Sequence, residues 1–146
     1  MNEDDCVFCK LLSSELEVSL IHQDNVCSAF MDIQPVNAGH ALVVPNRHAP
    51  YLADLDEDEG AQMFRVAQRV AAALRKCGLR CEGVNFFLAD GEAAGQEVFH
   101  VHLHVFPRYS GDGFRLKLPP HYQHMPAREE LNDIAQRIRV ALRANH

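Results

Sequence analysis

Gly95-Gln-Glu-Val-Phe-His100-Val-His102-Leu-His104-Val-Phe-Pro-Arg108 is the stretch on which the fold turns. Three histidines alternate in it with Val101, Leu103 and Val105. A period of two marks an extended strand, whose successive side chains point to opposite faces. The alternation therefore sends His100, His102 and His104 to one face and the three aliphatic chains to the other, with Pro107 closing the strand. One face packs on a core. The other presents a row of imidazoles, which has no apolar use.

Upstream, Gly83–Leu88 predicts another strand, and the residues from Asp90 to Gly95 form a glycine-containing loop leading into the histidines. Before them, Leu55, Met63, Val66, Val70 and Leu74 recur at helical spacing from Asp54 to a stop at Gly78. Asp56, Glu57, Asp58 and Glu59 sit where they complement the helix dipole. Residues 40–44 form a strand stopped by Pro45-Asn46, after a Pro/Asn/Gly-containing loop over 32–39. Residues 18–23 and 26–32 predict a hairpin turning at Asp24-Asn25, and residues 6–12 a short turn or helix. Downstream, residues 109–120 read as irregular surface. Residues 127–144 form an amphipathic helix with Leu131, Ile134, Ile138 and Leu142 on one side.

Five strands and two main helices with short early connections predict an α+β fold built on a mostly antiparallel sheet. The helices should cover one face and leave the other open at the histidine strand. One domain spanning residues 1–146 is expected, with the motifs in about 6–110 and a C-terminal extension and helix over 111–146.

At 146 residues and 47% apolar content the chain can bury a proper core. A net charge of −6 argues against binding a nucleic-acid polymer, which needs a basic face. The acidic opening MNEDDCVFCK has no basic-then-apolar progression, and no apolar run approaches a membrane span, so a cytoplasmic protein without membrane contact is expected. Five cysteines in such a compartment are not a disulfide framework. Cys6-Val-Phe-Cys9 alone has metal-ligand spacing, whereas Cys77 and Cys81 flank Gly78 and read as structural.

Three chemistries suit the imidazole row: a metal hydrolase centre on the strand, a structural zinc shared with Cys6 and Cys9, or nucleophilic catalysis by a neutral imidazole. The last needs donors for a phosphate, and Gly95 and Gln96 lie in a loop able to offer backbone N–H groups.

The alternation through Phe106 resembles the motif of the histidine triad (HIT) family. Phe30-Met-Asp32-Ile33, Asn37-Ala-Gly39-His40-Ala-Leu-Val-Val-Pro45, Gly91-Glu-Ala-Ala-Gly95-Gln96 and Phe106-Pro-Arg108-Tyr109 follow that family's order and spacing. The likeness is to a bacterial-type member near the nucleoside phosphoramidase branch, with diadenosine-polyphosphate hydrolases as relatives. It implies a HIT-like fold, a homodimer, and a nucleotide hydrolase or transferase acting at the α-phosphate of a purine nucleotide through a nucleotidyl-histidine. An adenosine 5′-monophosphoramidase-like activity heads the expectation. A diadenosine polyphosphate hydrolase and a slowly turning purine-nucleotide-binding sensor stand as the alternatives.

By position, the resemblance implies that His102 is the nucleophile, that His104 contacts the phosphate or bridging atom, and that His100 supports the nucleophile. Asp32 matches the acid that binds the ribose hydroxyls. Phe8, Phe30 and Ile33, with Val7 and Leu11, match the walls of the base pocket. Gly95, Gln96 and Val98 match the phosphate loop, and His40 a supporting histidine outside the catalytic set. Family members that keep the CxxC pair also have a histidine after the Val-Val-Pro strand, here His48. The implied cofactor is one structural zinc on Cys6, Cys9, His48 and His100, with none required for catalysis. Two positions depart from the best-known members: Ala89 replaces an amide side chain, and Glu97 replaces a hydroxyl after the Gly-Gln pair.

Overall fold

The computed structural model describes residues 2–144. They fall into two compact units, one running up to Gly113 and the other from Phe114. In the first, α1 (Val7–Leu12) precedes β1 (Leu20–Gln23), β2 (Cys27–Met31) and β3 (Ala41–Pro45). The long helix α2 (Glu57–Leu74) follows, then β4 (Gly83–Leu88) and β5 (Leu103–Arg108). The second carries α3 (Arg128–Ala144) after an irregular run.

The sheet is five-stranded and antiparallel, in the order β1-β2-β3-β5-β4. Local chemistry sets its turns. Asp24 Oδ1 accepts from the N–H groups of Val26 and Cys27 at 2.7 and 2.9 Å, folding the β1–β2 hairpin where Asp-Asn predicted it. At the start of α2, Asp56 and Glu59 form a reciprocal capping box. This is why the helix begins after Asp56 rather than at Asp54, whose side chain instead accepts from the Tyr51 N–H.

One register line fixes the functional face: Leu20 lies opposite Phe30, Phe30 opposite Leu42, Leu42 opposite His104 and His104 opposite Phe87. Ala29, Val43, Leu103 and Val105 point the other way and pack with Met63, Val66, Val70 and Leu74 of α2. Burial of these aliphatic chains stabilises by roughly 1.5–3 kcal/mol each. The histidine-side face is partly covered too. Phe8 and Cys6 pack there on Phe30, Leu42 and Val44, leaving an opening beside the histidines.

Three expectations need correcting. The histidine strand begins at Leu103, so His100 and His102 precede it. β3 pairs with β5 only through Ala41–Val43, and β4 pairs only down to Leu103. Upstream, the Val101 N–H turns instead to the Ala49 carbonyl. Pro107 lies inside β5 rather than closing it, past the end of its pairing with β3. Only α2 of the two long helices has buried residues. On α3 the stripe of Leu131, Ile134, Ile138 and Leu142 is exposed.

Candidate functional site

The histidines are wired by backbone groups that fix where each proton sits. His102 Nδ1 lies 2.8 Å from the His100 carbonyl oxygen. A carbonyl only accepts, so Nδ1 carries the proton and Nε2 of the neutral ring keeps its lone pair. His40 is wired in the opposite sense. The Val36 N–H donates to His40 Nδ1 at 3.0 Å, so the His40 proton sits on Nε2. That Nε2–H donates to His104 Nδ1 at 2.8 Å, leaving the His104 proton on Nε2. His102 thus offers an electron pair and His104 a hydrogen-bond donor.

Burial keeps the rings neutral. His104 is pushed down to about 4 by burial, then by His102 and His40; Asp32, with Oδ2 3.9 Å away, pulls upward and loses. Burial also pushes His102 and His40 down, and takes His100 down to about 4. Asp32, His40 and His104 could be taken for a metal cluster. The tautomer argues otherwise, because His40 Nε2, facing the other two groups, carries a proton rather than a lone pair.

These residues open on a cavity of about 660 Å³. Val7, Phe8, Leu11, Phe30 and Ile33 line it, with Asp32, Gly95, Val98, His102 and His104. Phe8 meets His102 edge-on, ring centroids 5.0 Å apart, and Phe30 at 5.6 Å. Ile33 is 96% exposed yet still borders the cavity, as a rim residue. Asp32 Oδ1 accepts from the Gln34 N–H. Ala89 is buried and lies outside the cavity wall, whereas Glu97 is in it. A smaller apolar groove of about 380 Å³ between α2 and the β1–β2 side contains none of these histidines.

The loop over 91–98 holds its shape through Gln96, which is buried and does not line the cavity. Its side chain accepts from the Gly91 N–H and donates to the carbonyls of Pro50 and Val98. The N–H groups of Gly95 and Gln96 donate to the Glu92 and Gly91 carbonyls. This corrects the expectation that they are free for a phosphate. The N–H groups of Glu97 and Val98 have no partner among the described residues.

On the far side of His102, Cys6, Cys9, His48 and His100 bring one ligand atom each within 4.8 Å of one another. His100 Nε2 donates to the Pro45 carbonyl at 2.8 Å, so its Nδ1 lone pair faces the Cys6 and Cys9 sulfurs, both at 3.5 Å. His48 Nδ1 lies 3.3 Å from Cys9 Sγ, and its buried Nε2 has no hydrogen-bond partner among the described residues. Burial and the Cys6 thiol push Cys9 up to about 12. Two thiols and two imidazoles, the His100 ring with its Nδ1 lone pair turned inward, suit a tetrahedral zinc, whose binding would displace the thiol protons.

The structure therefore gathers the sequence-predicted catalytic and metal residues into two adjoining clusters and puts all but Gln96 of the predicted nucleotide-binding residues around one cavity. It adds Met31, Gln34, Leu42 and His40. The register of β3 against β5 would have revealed Leu42. The hydrogen bond of His40, 64 residues from its partner, left no local signal.

Comparison with known proteins agrees with this arrangement. The HIT domain model matches residues 13–111. An uncharacterized HIT-like protein of Borreliella burgdorferi is 39% identical over 114 residues, covering 77% of this chain and 82% of that one. Adenylylsulfatase HINT3 of Arabidopsis thaliana is 32% identical over 110 residues, 75% of this chain and 55% of that one. A HIT family protein from Bacillus anthracis superposes with a TM-score of 0.86 at 34% identity, over 94% of this chain and 97% of that one. A zinc-bound histidine triad family protein from Mycobacterium smegmatis gives 0.74 at 35%, over 99% and 100%. With this match, these relatives and the three alternating histidines of its β5 approach, the chain belongs to the HIT domain family.

Proposed function

We propose that the protein is a nucleotide hydrolase or transferase acting at the α-phosphorus of purine nucleotides through a nucleotidyl-histidine, most like an adenosine 5′-monophosphoramidase. One observation carries this: His102 Nδ1 is tied to the His100 carbonyl, leaving an Nε2 lone pair on a ring that lines a nucleotide-sized cavity.

In this mechanism the purine lies between Phe8, Phe30 and Ile33, and Asp32 accepts from the ribose hydroxyls. His102 Nε2 forms a bond to the α-phosphorus as the bond to the leaving nitrogen or oxygen breaks. The electron pair stays on the leaving atom, which takes a proton from solvent. His104 Nε2–H and the free amides of Glu97 and Val98 hold the charge that develops on the phosphoryl oxygens and leaving atom. A water oxygen then bonds to phosphorus, the pair of the phosphorus–nitrogen bond returns to His102, and a proton goes back to solvent. Two moderate displacements replace one difficult displacement.

Zinc on Cys6, Cys9, His48 and His100 is assigned a structural role, because the reacting pair is prepared by hydrogen bonds alone. When bound, it would tie α1 to the segment around His100. A homodimer is part of the same proposal. Its support is the edge strand β4, which exposes Phe86 beside an exposed Phe64 of α2, an aromatic patch suited to a second copy.

Rapid quench with adenosine phosphoramidate labelled at phosphorus should trap the label on His102. His102→Ala should lose nearly all turnover yet bind AMP, since base and ribose contacts remain. Near-parent hydrolysis by His102→Ala refutes the mechanism.

A further inference from the structure

We propose that Glu97 selects the leaving group by charge, so that the preferred substrates are nucleoside phosphoramidates of a positively charged amine and anionic leaving groups are discriminated against. The inference rests on the nucleotidyl-histidine reading above and deepens it at the one part of the site that reading leaves open.

Three carboxylates, Glu17, Asp32 and Glu97, line the cavity, and among the described residues no Lys or Arg does. His40 and His104 bring no cation to the wall, since each accepts a hydrogen bond on Nδ1, from the Val36 N–H and from His40. A nucleotide's single α-phosphate charge can be met by the two free amides and the His104 donor. A leaving group that adds sulfate or further phosphates brings more negative charge to a wall already negative, with no cation to receive it.

Asp32 and Glu97 are not equivalent. Asp32 is engaged by the Gln34 N–H and faces His40 and His104. Glu97 is exposed and makes no hydrogen bond or ion pair among the described residues. It sits on the cavity wall, on the loop that also supplies the proposed phosphate amides. A carboxylate there attracts an amine that becomes an ammonium as it departs. The P–N bond breaks with its electron pair on nitrogen, and the nitrogen takes up its protons from solvent. The same carboxylate repels a departing anion.

The test compares three adenosine 5′-phosphoramidates that share one P–N bond and differ only in a remote group on the amine: a quaternary ammonium, a neutral isostere and a carboxylate. The parent protein should give kcat/KM in the order cationic, neutral, anionic. Glu97→Gln, which keeps the shape at an exposed position, should shrink the cationic-to-anionic ratio by roughly tenfold, the size of one charge interaction at a partly solvated site. Glu97→Lys should invert the order. Equal rates for the three substrates in the parent, or an unchanged ratio in Glu97→Gln, overturn the role of Glu97 while leaving the mechanism standing. If no substrate of any charge labels His102 in rapid quench, the nucleotidyl-histidine reading fails and this inference with it.

Discussion

Lowering the pH from 7 to 5 should destabilise the protein in a way that His104→Gln partly removes. A histidine whose pKa falls on folding stays neutral in the folded state while the unfolded chain already takes up its proton. Between about 6.5 and about 4 the unfolded state therefore binds more protons, and stability rises with pH. The contribution is full above the ordinary histidine value and is lost as pH falls through that window. For His104, moved from 6.5 to about 4 chiefly by burial, the loss between pH 7 and 5 is about 2 kcal/mol. Urea unfolding of the parent and of His104→Gln at both pH values isolates this share, because the shift of His100 is common to both proteins and cancels. The parent should lose about 2 kcal/mol more than the variant. Equal losses would mean that His104 is solvated or is held protonated by Asp32, and the assignment of a neutral donor would fall with it.

Gly39→Ala should cost about 2–4 kcal/mol in denaturant unfolding, since φ is +104° and a Cβ would meet Leu79 Cδ1 at 2.9 Å and Leu74 Cδ2 at 3.0 Å. Gly78→Ala, with φ +87° and open space around it, should cost only about 1 kcal/mol. Cys6→Ala should lower zinc per chain to near zero by metal analysis, and full occupancy would remove Cys6 from the ligand set. Phe8→Ala should weaken AMP binding by roughly tenfold in calorimetry, through loss of one aromatic wall. Phe86→Glu should shift sedimentation from dimer to monomer at micromolar concentration.

The period-two pattern carried the faces of the sheet correctly even where it misplaced the strand. Val101, Leu103 and Val105 are buried on the α2 side, although Val101 lies outside β5. Alternation is a local property, so residues 100–108 display it themselves. Where pairing begins depends on how far β3 and β4 extend, and those segments lie tens of residues away. The start of α2 was blurred for a smaller reason: Asp54 and Asp56 both look like helix-start residues, and only the capping box at Asp56 distinguishes them. The stripe on α3 says that one side is apolar and nothing about what it meets. His40 reads as an ordinary structural histidine in sequence. Its importance comes from the Val36 N–H on one nitrogen and His104 on the other, a relation set by the turn over 36–40 and by the β3–β5 pairing together. Gln96 lies on the expected loop but closes it, and a Gly-Gln pair does not by itself reveal whether its amides close the loop or remain open to a ligand.

His100 joins the two clusters, so a metal held on the cysteine side would bear on the proposed reaction through it. Its Nδ1 faces the cysteine sulfurs, its Nε2–H is held by Pro45, and its carbonyl accepts from His102 Nδ1. Three bonds on one residue leave the His102 acceptor little freedom to drift. Phe8 adds a second link, since it stands between Cys6 and Cys9 in sequence and meets both His100 and His102 edge-on. Disturbing the cysteines therefore moves the acceptor of His102, the proposed nucleophile, and the wall of the proposed base pocket in one step. Such a disturbance should weaken AMP binding and lower turnover together, whereas loss of a reacting group would lower turnover alone. That difference separates a metal that shapes the site from one that takes part in the chemistry.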